Sequence, residues 1–408
     1  MIQERTYSRK VSLLILVAAL GYFVDIYDLI LFLIVKKQSL LDLHIPEDKG
    51  ATLLNIQMIG MLIGGIIWGV LGDKRGRLST LFFTILLYSL ANIANGFVQN
   101  LEQYEILRFV SGIGLAGELG IGITLVSEVM SKESRGYGTA IVSGVGIAGA
   151  ALGFLITHFF GWREAYFVGG GLGLALLVMR ISVNESSMFD KAKKHNAKRG
   201  SFISLFTNKK RALKYLYCIL IGVPVWFVIG ILIKDADKFG SNVFHVKGVV
   251  EGGQSVMWHY MGASVGSFLT GFISQWLRSR KKALYISLVA LCITVAIFFS
   301  CYGVSNTVFY VVLFVLGVAQ GYWAVFVTIA SEQFGTNMRA TVATTVPNIV
   351  RGLTVLMSIG YVSIGSATNG SWTGAAVVGG IVLVLAFFSA SKLDETYGKD
   401  LDYLEPAE

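Results

Sequence analysis

Two carboxylates lie inside an apolar stretch near the start of the chain. Asp25 and Asp28 belong to GYFVDIYDLILFLIV, Gly21 to Val35. Each would cost about 3 kcal/mol to place in the hydrocarbon core of a bilayer. Because they are three residues apart on a predicted helix, they share one face and repel each other. Acids retained at such a cost predict a site that binds and releases a proton.

Further charges lie in the fourth apolar stretch, LRFVSGIGLAGELGIGITLVSE, which contains Arg108 and Glu118. The first and fourth helices run in opposite directions, so Arg108 should lie at the depth of Asp25 and Asp28. A guanidinium facing the pair would keep one acid ionised and leave the other free to carry a proton. The alternative is a purely structural charge triad. If neither aspartate carries the proton, Glu118 is the next candidate.

The second half of the chain contains an arginine within an apolar stretch, VPNIVRG. Arg351 follows Asn348 by three residues, so the two side chains share a helix face. The planar guanidinium can donate two parallel hydrogen bonds to a carboxylate, which suits a binding site for an organic anion. Arg351 could equally pair with an acid of another helix, and the sequence leaves both readings open.

The composition shows which elements must position these residues. Hydrophobic residues make up 54% of the 408 residues and charged residues only 14%. A membrane-spanning helix needs about 20 apolar residues. Twelve such runs predict an all-α integral membrane protein, with helices at 11–35, 51–72, 79–97, 103–128, 136–159, 164–183, 212–233, 251–276, 283–302, 306–330, 340–363 and 372–393.

Lysine and arginine are distributed unequally between the two sets of loops. One set contains DKRGR, SKESR, DKAKKHNAKRG, NKKR and RSRKK, and the other has few bases. The first helix should be uncleaved, because its apolar run is too long for a signal peptide, contains acids and lacks a small-residue cleavage site. The positive-inside pattern of the loops predicts that both termini are cytoplasmic. It also explains the net charge of +9 by contact with lipid headgroups rather than nucleic acid. No P-loop or metal-ligand spacing is present, so we expect no enzyme, metal or cofactor other than the proton.

The polar segment 184–211 divides the chain into halves, 1–183 and 212–393, and we expect the tail 394–408 to be disordered. The halves repeat a pattern. Ser127-Glu128 precedes Arg135, and Ser331-Glu332 precedes Arg339 at the same spacing. Internal repeats of this kind are typical of secondary transporters, whose substrate sites lie between the halves.

The loop after the second helix reads GVLGDKRGR, with Gly69, Asp73, Gly76 and Arg77. It resembles the signature loop of the major facilitator superfamily. The resemblance implies two pseudo-symmetric six-helix halves and a cytoplasmic gate formed by these residues with Glu128. The equivalent loop of the second half has Gln275 in place of the acid. The repeat adds Arg135, Glu332 and Arg339 to the predicted gate.

Longer segments resemble one branch of this superfamily, the metabolite:proton and sialate:proton symporters. The resemblance implies proton-coupled uptake of a small organic acid, with helices 1, 4, 7 and 10 lining the cavity. On helices 7 and 10 it makes Trp226, Gln320, Tyr322 and Trp323 candidate substrate contacts. The matching segments are YDLILF (27–32), RFVSGIGLAGE (108–118), GWREAYF (161–167), RISVNESSMF (180–189) and SEQFGTNMRAT (331–341).

We therefore expect a monomeric transporter of a bacterial inner membrane that carries a small, anionic substrate by alternating access. A proton-driven exporter of metabolites or drugs has the same helix pattern and is the first alternative. A membrane sensor that does not transport is the second, although the sequence contains no soluble signalling domain. The sequence does not distinguish among monocarboxylates, polycarboxylates or chelates, betaines and sugar acids.

Overall fold

The computed structural model describes residues 2–180, 199–368 and 370–406, with side chains except at 2–10 and 371. Long helices dominate these residues, and no β-strand occurs among them beyond one isolated bridge between Lys247 and Ser305. We number the twelve membrane-length segments in chain order. They are α1 (Ile2–Asp42), α2 (Lys49–Arg75), α3 (Arg77–Asn95), α4 (Leu101–Leu115 and Glu118–Val129), α5 (Arg135–Ile147 and Gly149–Phe159), α6 (Trp162–Arg180), α7 (Lys209–Leu220, Val223–Phe227 and the π-helical Val228–Ile233), α8 (Gly252–Trp276), α9 (Arg280–Phe298), α10 (Asn306–Gln320 and Trp323–Glu332), α11 (Arg339–Ala367) and α12 (Ser371–Lys392).

The twelve-helix prediction is confirmed. Within the described part of the chain, ten segments have both the length and the apolar composition of a membrane span. The other two, α6 and α8, have 19 and 25 residues. They are less apolar because α6 begins with the charged Arg163 and Glu164 and ends with Arg180, and because α8 contains the polar Gln254, His259 and Gln275.

Local capping explains where several spans begin. The Asn100 side chain accepts the backbone N–H of Gln103 at 3.0 Å, which starts α4. Asn208 caps α7 in the same way by accepting the backbone N–H of Lys210 at 2.9 Å. By contrast, α1 extends to Asp42, beyond the predicted end at residue 35, since nothing interrupts the helix at Lys36.

Several spans are interrupted near their middle. α4 breaks at Ala116 and Gly117, α7 at Ile221 and Gly222, and α10 at Gly321 and Tyr322, while α5 breaks at Ala148. Broken helices inside a membrane expose backbone groups where they line a cavity or bind a partner. The interrupted spans therefore mark the region in which a site can form.

The two halves meet along α2 with α11 and along α5 with α8. Close approach requires glycine at these contacts. A Cβ atom on Gly120 of α4 would lie 2.5 Å from the Cα of Thr344 on α11. A Cβ atom on Gly136 of α5 would lie 2.4 Å from a guanidinium nitrogen of Arg280. These glycines let the helices of one half approach those of the other.

Four arginines lie at the same end of the bundle, where α3, α5, α9 and α11 begin. We call this the basic end and the other the opposite end. The arginines are Arg77, Arg135, Arg280 and Arg339, and all four are buried.

The expectation of a disordered tail is wrong for residues 394–406, which pack against the basic end. Leu401 is 1% exposed, and its carbonyl oxygen accepts hydrogen bonds from Thr336 and Arg339. Composition alone suggested disorder because the segment is short and acidic. Its apolar side chain and its backbone carbonyls nevertheless find partners on the folded helices.

Candidate functional site

Three neighbouring cavities, which share lining residues, lie between the centre of the bundle and the opposite end. The central cavity is about 20 Å³, enough for little more than one water molecule. The second is about 60 Å³ and shares Trp226 and Ile229 with the first. The third, a vestibule of about 530 Å³, shares Leu33 and Lys234 with the second. The path therefore widens toward the opposite end.

The central cavity lies between the halves, and four of its twelve lining residues are aromatic. Of the predicted substrate contacts it is lined by Trp226, Gln320, Trp323 and Arg351. Its full lining is Tyr22, Ile26, Ile147, Val225, Trp226, Ile229, Tyr260, Ala263, Gln320, Gly321, Trp323 and Arg351.

Arg351 is the positive charge of this cavity. Its guanidinium carbon lies 5.8 Å from the ring centre of Trp226 and 5.7 Å from that of Trp323, so the cation sits between two indoles. Its Nη1 donates to Asn348 Oδ1 at 2.9 Å. Its Nε has no hydrogen-bond partner among the described residues. The guanidinium is held in place but keeps donor capacity for a ligand.

Asn348 orients Arg351 and also connects it to α4. Its amide nitrogen donates to the carbonyl oxygen of Ala116, at the break of α4, at 2.7 Å, and to that of Thr344 at the same distance. Both donors of Asn348 therefore face backbone, which leaves its carbonyl oxygen to fix the guanidinium. Asn348 thus positions Arg351 and does not itself line the cavity.

Tyr322 has a different place from the one predicted. It is buried, but its hydroxyl donates to the carbonyl oxygen of Ile221 at 3.0 Å, and it is absent from the cavity lining. This bond connects the break of α10 to that of α7. Sequence reasoning missed Tyr22 and Tyr260, both of which line the cavity. The signal for Tyr22 was its position three residues before Asp25, on the same helix face.

Asp25 and Asp28 are completely buried in α1. None of their four carboxyl oxygens has a hydrogen-bond partner among the described residues. A Cβ atom on Gly169 of α6 would lie 2.2 Å from Asp28 Oδ1, so only glycine fits there. Carboxyl groups in this condition are costly when ionised and bind a proton readily.

The predicted triad of Arg108 with both acids is divided in the structure. The charges of Asp25 and Arg108 act on Asp28, whereas those of Arg351 and Glu118 act on Asp25. Arg108 itself donates to the side-chain oxygen of Gln57 and stacks 5.0 Å from the ring centre of Phe32. The charges of two different arginines therefore act on the two aspartates, and the arginine that acts on Asp25 belongs to the other half.

Glu118 begins the second part of α4 and forms an ion pair with Arg180, the last residue of α6. Both side chains are buried, and the pair fills the space above Gly21 of α1, where a Cβ atom would lie 2.0 Å from Glu118 Oε1. Arg180 stood near the end of a predicted span, so no sequence pattern indicated its pairing with Glu118. Glu118 therefore forms a direct ion pair, which neither aspartate does among the described residues.

The predicted gate residues come together at the basic end in two clusters. In the first cluster, Glu128 Oε1 of α4 accepts from Arg77 of α3 at 2.9 Å and from Arg339 of α11 at 3.0 Å. Asp73, at the end of α2, lies 3.4 Å from Arg77. The cluster therefore contains two acids and two arginines drawn from both halves.

Asp73 also binds the backbone of the other half. Its carboxylate accepts the backbone N–H groups of Ala340 at 3.1 Å and Thr341 at 2.8 Å, at the start of α11. Gly69 permits this approach, since a Cβ atom there would lie 2.9 Å from the Cα of Thr341. Gly76 turns the chain between α2 and α3 with a positive φ of 115°, which glycine adopts without strain.

The second cluster repeats the first with the halves exchanged. Glu332 of α10 binds Arg135 of α5 at 2.6 Å and Arg280 of α9 at 3.5 Å. Gln275 replaces the second acid. Its carbonyl oxygen accepts from Arg280 at 2.9 Å, and its amide donates to the carbonyl oxygen of Glu133 at 2.8 Å. Sequence reasoning did not include Arg280 in the gate, because it stands one position later than Arg77 in the repeat.

Residues 18–356 match the profile of a family described as Major Facilitator Superfamily. The chain belongs to this superfamily. The resemblance drawn from its motifs is confirmed, and the protein is a multi-pass membrane transporter rather than an enzyme.

Two relatives and one solved structure illustrate the likeness. The chain is 26% identical over 340 residues to a "Probable 4-methylmuconolactone transporter" of Cupriavidus pinatubonensis, covering 79% of this chain and 76% of the relative. It is 27% identical over 369 residues to the "Niacin transporter NiaP" of Acinetobacter baylyi, covering 80% and 81%. The fold matches that of the proton:xylose symporter XylE with a TM-score of 0.78 at 16% identity, over 97% of this chain and 98% of that chain.

Proposed function

We propose that this superfamily member takes up a small aromatic carboxylate together with a proton, by alternating access. The observation that carries the proposal is Arg351, placed between Trp226 and Trp323 in a cavity shared by the two halves. A guanidinium with free donors recognises a carboxylate. Indole and phenol walls favour a flat ring, which can stack on them.

The polar atoms around the cavity support this class of substrate. Trp323 Nε1 and Gln320 Oε1 are buried and have no hydrogen-bond partner among the described residues. One can donate to a ligand and the other can accept from it. Two relatives are named for niacin and for 4-methylmuconolactone, which are similar in size to each other. Niacin is a pyridine carboxylic acid. A flat acid with one further polar substituent would satisfy each of these groups.

The buried acids of α1 support proton coupling. Asp25 is influenced by Arg351, the same arginine that would bind the substrate carboxylate. An anion bound to Arg351 competes for the charge that stabilises ionised Asp25, so substrate binding favours a proton on Asp25. Within the first half, the charge of Arg108 acts on Asp28 as that of Arg351 acts on Asp25. Either aspartate would carry one proton with each substrate.

The direction of transport rests on which end is cytoplasmic. The positive-inside pattern supports a cytoplasmic position for the basic end, with both termini on that side of the inner membrane of a bacterial cell. The conformation described here is closed at the basic end by the two clusters, and its cavities widen toward the opposite end. It would then be an outward-facing state that is nearly closed around the site.

Uptake into vesicles tests this function. Purified protein reconstituted in known orientation is given radiolabelled nicotinate, benzoate or 4-hydroxybenzoate, with acetate and xylose as controls. We expect uptake of an aromatic acid to be faster than in protein-free vesicles, which take up permeant weak acids passively, when the side facing the opposite end is acidic. This protein-dependent part should disappear when an ionophore abolishes the pH gradient. The exporter alternative predicts net movement in the opposite direction, from the compartment on the cytoplasmic side to the acidic side. The proposal fails if none of the aromatic acids is transported or raises the melting temperature of the protein.

A further inference from the structure

The C-terminal segment Asp394–Pro406 lies across the basic end, and we call it the clasp. It follows α12 directly and runs along the loop between α10 and α11. The backbone N–H of Thr336 donates to the carbonyl oxygen of Tyr403 at 2.8 Å, and the backbone N–H of Glu405 donates to Asn337 Oδ1 at 2.9 Å. The clasp is thus seated mainly on the second half.

Two carbonyl oxygens of the clasp bind one arginine from each gate cluster. Arg339 of the first cluster donates to Leu401 O at 2.6 Å. Arg135 of the second cluster donates to Lys399 O at 2.8 Å. Because Arg135 belongs to the first half and the clasp is seated on the second, the bond from Arg135 to Lys399 joins the halves and must break when the basic end opens.

The start of the clasp supplies a negative charge near the second cluster. The Glu395 carboxylate accepts from the Ser279 hydroxyl, from the backbone N–H of Arg280 at 2.9 Å and from that of Lys281 at 3.2 Å. It therefore caps the N-terminus of α9, whose first residue, Arg280, is a gate arginine. The ring centre of Tyr397 lies 5.3 Å from the Arg280 guanidinium.

The position of Glu395 offsets the difference in charge between the two gate clusters. The first has two acids for its two arginines, whereas the second has Gln275 where the first has Asp73, and so has one acid for two arginines. Burial raises the pKa of Glu395, but hydrogen bonds from Ser279 and from backbone N–H groups outweigh it and hold the pKa below the usual range. Glu395 is consequently ionised near neutral pH and adds an anion beside the second cluster, which has Glu332 as its acid but two arginines.

We propose that the clasp is a third component of the gate, which stabilises the closed basic end by binding Arg135 and by placing the charge of Glu395 at the start of α9. The clasp travels with the second half and releases Arg135 in each opening. Its removal should shift the protein toward the conformation that is open at the basic end.

A cysteine placed behind the gate measures this shift without requiring transport. Thr344 is buried on α11 between Arg339 and Arg351, and it faces α4. Thr344→Cys, in a protein whose native cysteines are replaced by serine, is treated with a membrane-impermeant thiol reagent. Ending the chain after Leu393 should increase the labelling rate roughly tenfold, as expected for loss of hydrogen bonds to charged groups. An unchanged rate in a truncated protein with a normal melting temperature would overturn the proposal.

Single substitutions keep the test decisive if the truncated protein does not fold. Glu395→Gln removes the charge that caps α9 and should raise the labelling rate severalfold. Asp400→Asn removes the same charge from an exposed clasp residue that caps only its neighbour Asp402, and should leave the rate unchanged. Equal rates in the two variants would refute the role of Glu395.

A rescue separates a gate component from simple packing. Gln275→Glu adds an acid next to Arg280 and keeps the oxygen that Arg280 binds. In the truncated protein this change should return much of the labelling rate to the value of the full-length chain. A clasp that only fills space predicts no rescue, and that outcome would contradict the charge argument. Because the reagent reports opening alone, these results do not depend on which substrate is carried.

Discussion

Charges at the basic end and charges in the middle of the bundle are arranged in opposite ways. At the basic end, Glu128 and Glu332 each bind two arginines, and each group of three draws on both halves. In the middle, Asp25 and Asp28 have no hydrogen-bond partner among the described residues, and Arg351 is only partly bonded. Paired charges hold one conformation, whereas unpaired charges are available to a proton or a substrate.

The largest effect is expected where the unpaired acids are neutralised. Asp25→Asn and Asp28→Asn keep the side-chain shape but cannot carry a proton. At least one should abolish proton-driven accumulation and still allow counterflow exchange, which moves no net proton. We expect Asp28 to be the more sensitive, because it lies in the matched segment 27–32 and Arg108 acts on it. Uptake with and without a pH gradient measures the effect.

Asp42→Asn is the matched control for these variants, since Asp42 is exposed at the end of α1 and pairs with Arg163. It should accumulate substrate like the parent protein. Normal accumulation in both Asp25→Asn and Asp28→Asn would place the proton elsewhere, with Glu118 as the next residue to test.

Removing an acid from a gate cluster at the basic end should destabilise the closed state. Glu332→Ala leaves Arg135 and Arg280 buried without an acid of their cluster, and loss of one partner of a buried pair costs about 3–5 kcal/mol. Glu128→Ala should cost less, because Asp73 still lies 3.4 Å from Arg77. Melting temperatures and labelling of Thr344→Cys compare the two. Equal losses would show that the clusters respond alike and that Asp73 does not compensate.

Substitution of Arg351 should have a smaller effect, on substrate binding in the middle of the bundle. Arg351→Lys keeps the charge but loses the two parallel donors, so we expect apparent substrate affinity to fall about tenfold, equivalent to about 1.4 kcal/mol. The melting temperature should barely change. Arg163→Lys, at an exposed ion pair, is the control and should leave affinity unaltered.

The alternative for Arg351, a structural pair with Asp25, makes the reverse prediction. It requires Arg351→Ala to fold poorly and Arg351→Lys to bind substrate normally. Isothermal titration and thermal melting of both variants distinguish the two roles. Unchanged affinity in a folded Arg351→Lys protein would remove Arg351 from the substrate site.

The sequence predicted what depends on local pattern. Twelve apolar runs gave the helices, and the repeated Ser-Glu and Arg spacing gave both gate clusters, because residues at equivalent ends of pseudo-symmetric helices meet in space. The acids of α1 were recognisable from their cost in a membrane.

What the sequence missed depends on contacts between distant elements. The pairing of Glu118 with Arg180, the influence of Arg351 on Asp25 and the docking of the tail all follow from how helices pack. Tyr322 was assigned to the substrate because aromatic residues on a cavity helix look alike in sequence, whereas its direction depends on the break at Gly321.

The smallest effect is expected from giving the second cluster the acid that it lacks. In the full-length chain, Gln275→Glu adds a charge beside Arg280, but Glu395 already provides an anion at the start of α9. The added attraction is partly offset by loss of the hydrogen bond that the side-chain amide of Gln275 donates to the carbonyl oxygen of Glu133. We therefore expect a net gain of about 0.5–1 kcal/mol for the closed state, the size of one hydrogen bond. Labelling of Thr344→Cys should slow about two- to fivefold. A larger effect in the full-length chain than in the truncated one would contradict compensation by the clasp, since the new acid should matter most where Glu395 is absent.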